Sequence, residues 1–226
     1  MKWFDRITHS IHILMPLAII MAFLWAPPAD ILGESSRILY FHVPLAWVAV
    51  FAFAVSGVLS ILYLSSKNET KRDTFDAYAH HSAVLGLLFT LMAVITGSIW
   101  ARISWGSFWN WDPRETSIVI VLLIYLAYLS LRAVIPEPNR KGRIGAAYLI
   151  IAMSVVPFFV FLVPRIYESL HPDTIINAER TVHLAPQMRA TLIVSVCAFT
   201  ALYGRLLFLQ GRVSSLAQRI EEIYDE

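Results

Sequence analysis

The sequence predicts an all-α, polytopic membrane protein with six transmembrane helices and both termini cytoplasmic. Of its 226 residues, 58% are hydrophobic and only 15% charged, with a mean hydropathy of +0.63. An ordinary soluble domain is roughly half apolar and about a quarter charged. The charges fall in short clusters between long neutral runs, and a spanning helix needs about 20 mostly apolar residues. The runs also lack the short two-residue alternation of barrel strands.

In chain order the spans are Ile7 to Ala29, Ile38 to Ser66, Ala77 to Ala101, Thr116 to Leu131, Ile144 to Val163 and Ala190 to Gln210. The second is interrupted only by His42. The fourth is short, and reaches full length if Arg132 snorkels to the interface; the sixth requires the same of Arg205. The first run is not a secretory signal, because no small-residue cleavage motif follows it and five more spans do. The whole of 1–226 therefore reads as a single six-helix transmembrane domain, with an external tryptophan-rich loop at about 101–115.

Lysine and arginine set the orientation. Twelve lie at the termini and in the 67–72 and 132–143 loops. The other side holds six: Arg37, Arg102, Arg114, Arg165, Arg180 and Arg189. The richer side is cytoplasmic. The net charge of +2 is too small to suggest nucleic acid. Cys197 is the one cysteine, which rules out a disulfide within the chain and a Cys-x-x-Cys-His haem attachment; it reads as a small buried hydrophobe.

The stretch WGSFWNWDPRET, Trp105 to Thr116, holds Trp105, Trp109 and Trp111 within seven residues. An aromatic belt at the membrane surface is the plainer account of it. A shelf for a large flat ligand is the sharper one. The histidines weigh between them. His9, His12, His80 and His81 lie at cytoplasmic span boundaries and read as interfacial. His42, in YFHVPLAW, and His183, in TVHLAPQM, are external, and each is followed within three residues by proline and an apolar run. Proline suits the first turn of a helix, so both imidazoles are expected at a helix mouth level with the tryptophans. His171, in LHPD, sits further from any span in a polar segment and ranks below His183.

Two imidazoles, an aromatic shelf and arginines on one face suit haem. Its iron takes neutral imidazole, its plane wants flat apolar cover, and its propionates pair with arginine. Arg37 precedes His42 by five residues and Arg114 closes the tryptophan stretch. Asp112 is expected to pair with an arginine or cap the helix opening at Pro113 rather than bind metal. The Glu-x-x-His and His-x-x-x-His patterns of di-iron and zinc sites are lacking, as is a phosphate-binding glycine loop. A Ser-His-Asp set has no support in the spacing.

WGSFWNWDPRET resembles the tryptophan-rich signature of the haem-handling proteins of cytochrome c biogenesis: Trp-Gly, then Trp-x-Trp-Asp, then an arginine and a threonine. With ILYFHVPLAW, the flanking external histidines and six spans, the chain is most similar to the haem exporter protein C branch, the cytochrome c maturation protein C family. The resemblance runs from about Trp3 to Gln210. Related haem lyase subunits share the signature but are much longer.

The resemblance implies a protein of the bacterial inner membrane that binds haem b non-covalently at its periplasmic face. It would present that haem to a membrane-anchored periplasmic haem chaperone, beside ATP-binding cassette transporter subunits and a small single-span accessory protein. His42 and His183 are then the axial ligands. Trp105, Trp109 and Trp111 form the shelf, Gly106 and Asp112 shape it, and Arg37 and Arg114 contact propionates or the chaperone. The protein positions haem and supplies no hydrolytic or redox catalysis. The rivals are a b-type cytochrome subunit, which would stack haems on paired histidines within the spans, and a transporter moving haem through the bundle. A transporter would show polar residues or broken helices at mid-depth, where Pro157 is the one obvious break.

Overall fold

Proline, glycine and short polar caps divide the apolar sequence into helices. The computed structural model describes residues 2–171 and 184–224. Helix α1 (Lys2–Ile20) continues as a π-helical turn, Met21–Trp25, and stops at Ala26, where Pro27 and Pro28 remove the next two N–H donors. The first span thus ends short of the expected Ala29, and its apolar part, Ser10–Trp25, is shorter than the other spans. A 3₁₀ turn, Glu34–Ile38, leads into α2 (Leu39–Ser65).

Asn68 caps α3 (Glu69–Trp105) by accepting the Lys71 N–H at 3.0 Å. Helix α4 spans Pro113–Val134 and α5 spans Pro138–Pro157, the latter capped by Glu137. Beyond Pro157 the chain widens into a second π-helical turn, Phe158–Leu162, and a short α6, Val163–Ile166. Helix α7 runs from Pro186 to Tyr224. Among the described residues there is no β-strand, and five helices are long and apolar enough to cross a membrane. The protein is an all-α polytopic membrane protein, as its composition predicts.

Helices α3, α4 and α7 outrun the lengths read from hydropathy, α3 and α7 by the most. At ~1.5 Å per residue, the 37 residues of α3 and the 39 of α7 exceed the ~30 Å hydrocarbon core.

Helix α2 sits at the centre, packed on α3, α5 and α7, while α1 lies along α7. Small buried residues let the backbones approach, as is usual between membrane helices: Ala49 and Ala52 on α2 and Ala79 and Ala83 on α3 belong to one buried cluster where the two helices pack. The Ser82 hydroxyl donates across this contact to the Ala52 carbonyl at 2.7 Å. Phe53 stacks on Tyr125 of α4 at 3.6 Å between ring centroids.

The end of the bundle remote from the tryptophans is tied by polar contacts. Arg132 does not snorkel: it pairs in bidentate fashion with Asp76 of α3, at 2.8 and 2.5 Å, because a facing carboxylate offers it a fork geometry that water does not. His81 meets the Ser214 hydroxyl at 2.7 Å and His80 the Tyr128 hydroxyl at 3.3 Å, so both join helices as well as lying at a boundary. Cys197 is exposed on α7, not buried as expected. Its position falls on the outward face of a spanning helix, where lipid satisfies a small apolar side chain as well as a core would.

Candidate functional site

Two helix ends build the tryptophan loop. Helix α3 closes because Gly106 adopts a left-handed conformation, φ 81°, at no Cβ penalty; its N–H returns to the Arg102 carbonyl at 3.2 Å. Helix α4 opens at Asp112, whose carboxylate accepts the Arg114 N–H at 2.9 Å. Glu115 reciprocates, accepting the N–H groups of Asp112 at 3.2 Å and Asn110 at 2.7 Å. This capping box, with Pro113 at the first helical position, satisfies donors that a helix start leaves orphaned. The loop is therefore residues 106–112. It is shorter than the expected 101–115 because 101–105 extend α3 and 113–115 begin α4. Trp111 is the one non-glycine described residue with positive φ, at 57°.

A cavity of about 200 Å³ lies beside the loop, lined by α2, α3, α4 and the chain following α5. His42, in the first turn of α2, borders it. Its Nδ1 lies 3.0 Å from the Ala93 carbonyl and 3.1 Å from the Thr96 hydroxyl. A carbonyl only accepts, so Nδ1 carries the proton and Nε2 the lone pair. Gly97 makes room for the ring, since a Cβ there would lie 2.8 Å from His42 Cε1. Pro44, expected in the first turn of the helix, falls in its interior because the helix begins earlier than the proline implied.

His171 borders the same cavity. Its side chain is 20% exposed and lies between Trp105, at 4.8 Å and 73°, and Trp100, at 5.7 Å and 39°. Its Nδ1 is 3.4 Å from Asp112 Oδ1. Burial, reinforced by the Arg114 charge and opposed by Asp112, lowers its pKa to about 4, so the imidazole is neutral at ordinary pH. Burial alone would raise the Asp112 carboxyl. The N–H groups of Arg114 and Leu170 and the Ser169 hydroxyl outweigh it and hold the group below the usual carboxylate range.

The expected site residues separate into distinct places. Trp109, Arg114 and His42 border the cavity. Trp111 crosses Trp109 edge to face at 5.8 Å and is 73% exposed. Trp105 is not on this shelf: it packs on Trp100 and His171. Asp112 caps α4, one of the two roles expected of it. Arg37 is turned to other work. It pairs with Glu34 and donates to the carbonyls of Ala22, at 2.5 Å, and Ala26, at 3.2 Å, because the turn ending the first span leaves carbonyls unpaired. His183 lies outside the described residues. His171, ranked below it, is the imidazole brought to His42, and Trp100, Thr96, Gly97 and Ser169 had no signal in the sequence.

These features define a polytopic helical membrane protein with an imidazole-lined recess beneath a tryptophan loop at one end of its bundle. More narrowly, the chain belongs to the Heme exporter protein C family, whose model matches residues 1–224. It is 26% identical to the Heme exporter protein C of Rhodobacter capsulatus over 205 residues, covering 91% of this chain and 83% of that protein. It is 28% identical to that of Escherichia coli K12 over 193 residues, 85% and 76% of the two chains. A putative cytochrome c biosynthesis ccmC-like mitochondrial protein of Marchantia polymorpha is 30% identical over 191 residues, 84% and 78% of the two chains. The family implies a role in haem handling for cytochrome c maturation.

Proposed function

We propose that this protein holds haem b non-covalently at the periplasmic face of the bacterial inner membrane and presents it to a membrane-anchored haem chaperone, with His42 and His171 as the axial ligands. One observation carries the reading. Two imidazoles from distant parts of the chain border one cavity; His42 turns Nδ1 to the Ala93 carbonyl at 3.0 Å, and the Asp112 carboxylate stands 3.4 Å from His171 Nδ1, favouring the proton there. That arrangement leaves Nε2 as the donor atom, and outer acceptors of this kind commonly orient metal-bound histidine.

Haem is cargo here, and the cavity fits only part of it. Its volume of about 200 Å³ is below the ~300–1,000 Å³ of pockets that enclose drug-sized ligands. The iron side would sit between the histidines while the outer porphyrin edge lies against Trp109 and the exposed Trp111 and Phe108. A cargo edge left open in this way suits hand-over. Arg114, bordering the cavity, is the arginine to meet a propionate; Arg37 is committed elsewhere. The excess of basic residues in the opposite loops supports a periplasmic tryptophan loop. ATP-binding cassette transporter subunits and a small single-span protein are the proposed partners. The chain positions haem and needs no acid, base or redox group of its own.

Absorption spectra of purified protein test this. Wild type should carry six-coordinate, low-spin haem. His42→Ala and His171→Ala should each lose that form and regain it with added imidazole, and His183→Ala should retain it. Loss in His183→Ala with retention in His171→Ala would overturn the ligand assignment.

A further inference from the structure

We propose that Asp112 is the positioning residue for the His171 imidazole, tethering the segment that carries it and placing a carboxylate beside its Nδ1, so that the proton sits there and Nε2 is left for the cavity. The inference rests on the reading of His171 as an iron ligand.

The Asp112 carboxylate does more than cap a helix. Its side chain is 1% exposed, so the protein must supply its partners. A cap needs one bond, and the Arg114 N–H to Oδ1 provides it. Oδ2 is turned to the segment after α6. It accepts the Leu170 N–H at 2.7 Å and the Ser169 hydroxyl at 2.9 Å, and that hydroxyl also lies 3.1 Å from Oδ1. The donors at 169 and 170 immediately precede His171, and the Ser169 oxygen accepts the His171 N–H at 3.2 Å. One carboxylate thus fixes the backbone leading into the imidazole. Oδ1 also stands 3.4 Å from the ring Nδ1, too far for a good hydrogen bond but close enough for its charge to act on the ring. Trp105 and Trp100 limit its rotation from the sides.

A negative charge this close favours the tautomer with the proton on Nδ1 and makes Nε2 a stronger donor, which a neutral backbone carbonyl does less. The two imidazoles are therefore held unequally. His42 is backed by the neutral Ala93 carbonyl on a helix. His171 is backed by a charge and reaches the cavity on a short strap.

The test uses full-length purified protein loaded with ferric haem and reads the low-spin fraction. Asp112→Ser keeps a good helix cap but removes the second oxygen and the charge. It should raise the high-spin to low-spin ratio about tenfold or more, the usual scale for an outer-shell partner. Added imidazole should reverse the change, which damage to the whole fold would not allow. Asp112→Asn, which keeps one acceptor, should fall between. The double variant Asp112→Ser, His171→Ala should match His171→Ala alone, since both act on one ligand.

A wild-type spectrum for Asp112→Ser, beside a changed one for His171→Ala, would overturn the positioning role and leave the ligand standing. An unchanged spectrum for His171→Ala would overturn the ligand and this inference with it. Should Asp112→Ser fail to accumulate, the near-isosteric Asp112→Asn decides: a reduced low-spin fraction supports the role, and an unaltered one overturns it.

Discussion

Gly97 of α3 lies so close to the His42 ring of α2 that a Cβ at 97 would stand 2.8 Å from Cε1 and 3.3 Å from Nδ1. The ring cannot simply swing aside, because its Nδ1 is held by Ala93 on the same face of α3. Gly97→Ala should therefore displace the imidazole at a cost of about 1–3 kcal/mol, the range for overpacking. Haem affinity, measured by haem titration, should fall by up to roughly 5- to 150-fold, the equivalent of that cost. An affinity equal to wild type would show that the helices separate freely at this point.

The three tryptophans should behave differently, although the sequence groups them. Trp111→Ala, at an exposed position, should leave unfolding within about 0.5 kcal/mol of wild type while reducing transfer of haem to the chaperone. Trp109→Ala should weaken haem binding itself, because Trp109 borders the cavity. Trp105→Ala should lower stability by about 1–3 kcal/mol and loosen His171, which it touches. Thermal unfolding, haem titration and a transfer assay separate the three. Identical behaviour would restore the picture of one common shelf.

Arg37 should matter to the fold and not to haem. Arg37→Gln loses the ion pair with Glu34 and weakens the bonds to the Ala22 and Ala26 carbonyls. Leaving such groups unsatisfied costs about 1–3 kcal/mol, so the end of the first span should become easier to cleave by protease. The low-spin spectrum should be unaltered. A change in spectrum with normal protease resistance would return Arg37 to the ligand site.

His171 should ligate iron well below the ordinary histidine range. Protonated imidazole has no lone pair for a metal, and the His171 pKa is lowered to about 4. In a His42→Ala background, where His171 alone holds the iron, ligation should persist from pH 7 to about 5 and fail near or below 4. The stability linkage has the same direction. The folded pKa lies below the unfolded ~6.5, so the unfolded state binds the proton first. His171 then costs stability as the pH falls from about 6.5 towards 4. Loss of ligation with a midpoint near 6.5 would contradict the buried environment.

The spans were legible because hydropathy over about 20 residues is a local property, and so was the Asp112 cap, which Asp-Pro and Glu115 announce within four positions. The overrun of α3 was not, since Ile103 and Trp105 suit helix, interface or loop equally until Gly106 is seen to be left-handed. The partners of Arg37 were not legible either, because its acceptors at Ala22 and Ala26 are backbone atoms, exposed only once the first span ends in a π-helical turn. The place of His171 beside the cavity was not legible for a different reason. Its local sequence is polar and loop-like, and what buries it comes from Asp112, Trp105 and Trp100, all more than fifty residues upstream.

If Trp111 serves haem delivery as proposed, it sets the needs of folding against those of function. Its φ of 57° is a conformation that costs a bulky residue about 1–3 kcal/mol and glycine almost nothing. Its ring, mostly exposed, returns little of that through packing. Trp111→Gly should therefore yield a protein that melts at a higher temperature and passes on its haem less well. A selection for thermal resistance alone would drift away from tryptophan at this position, and only selection on delivery would hold it there.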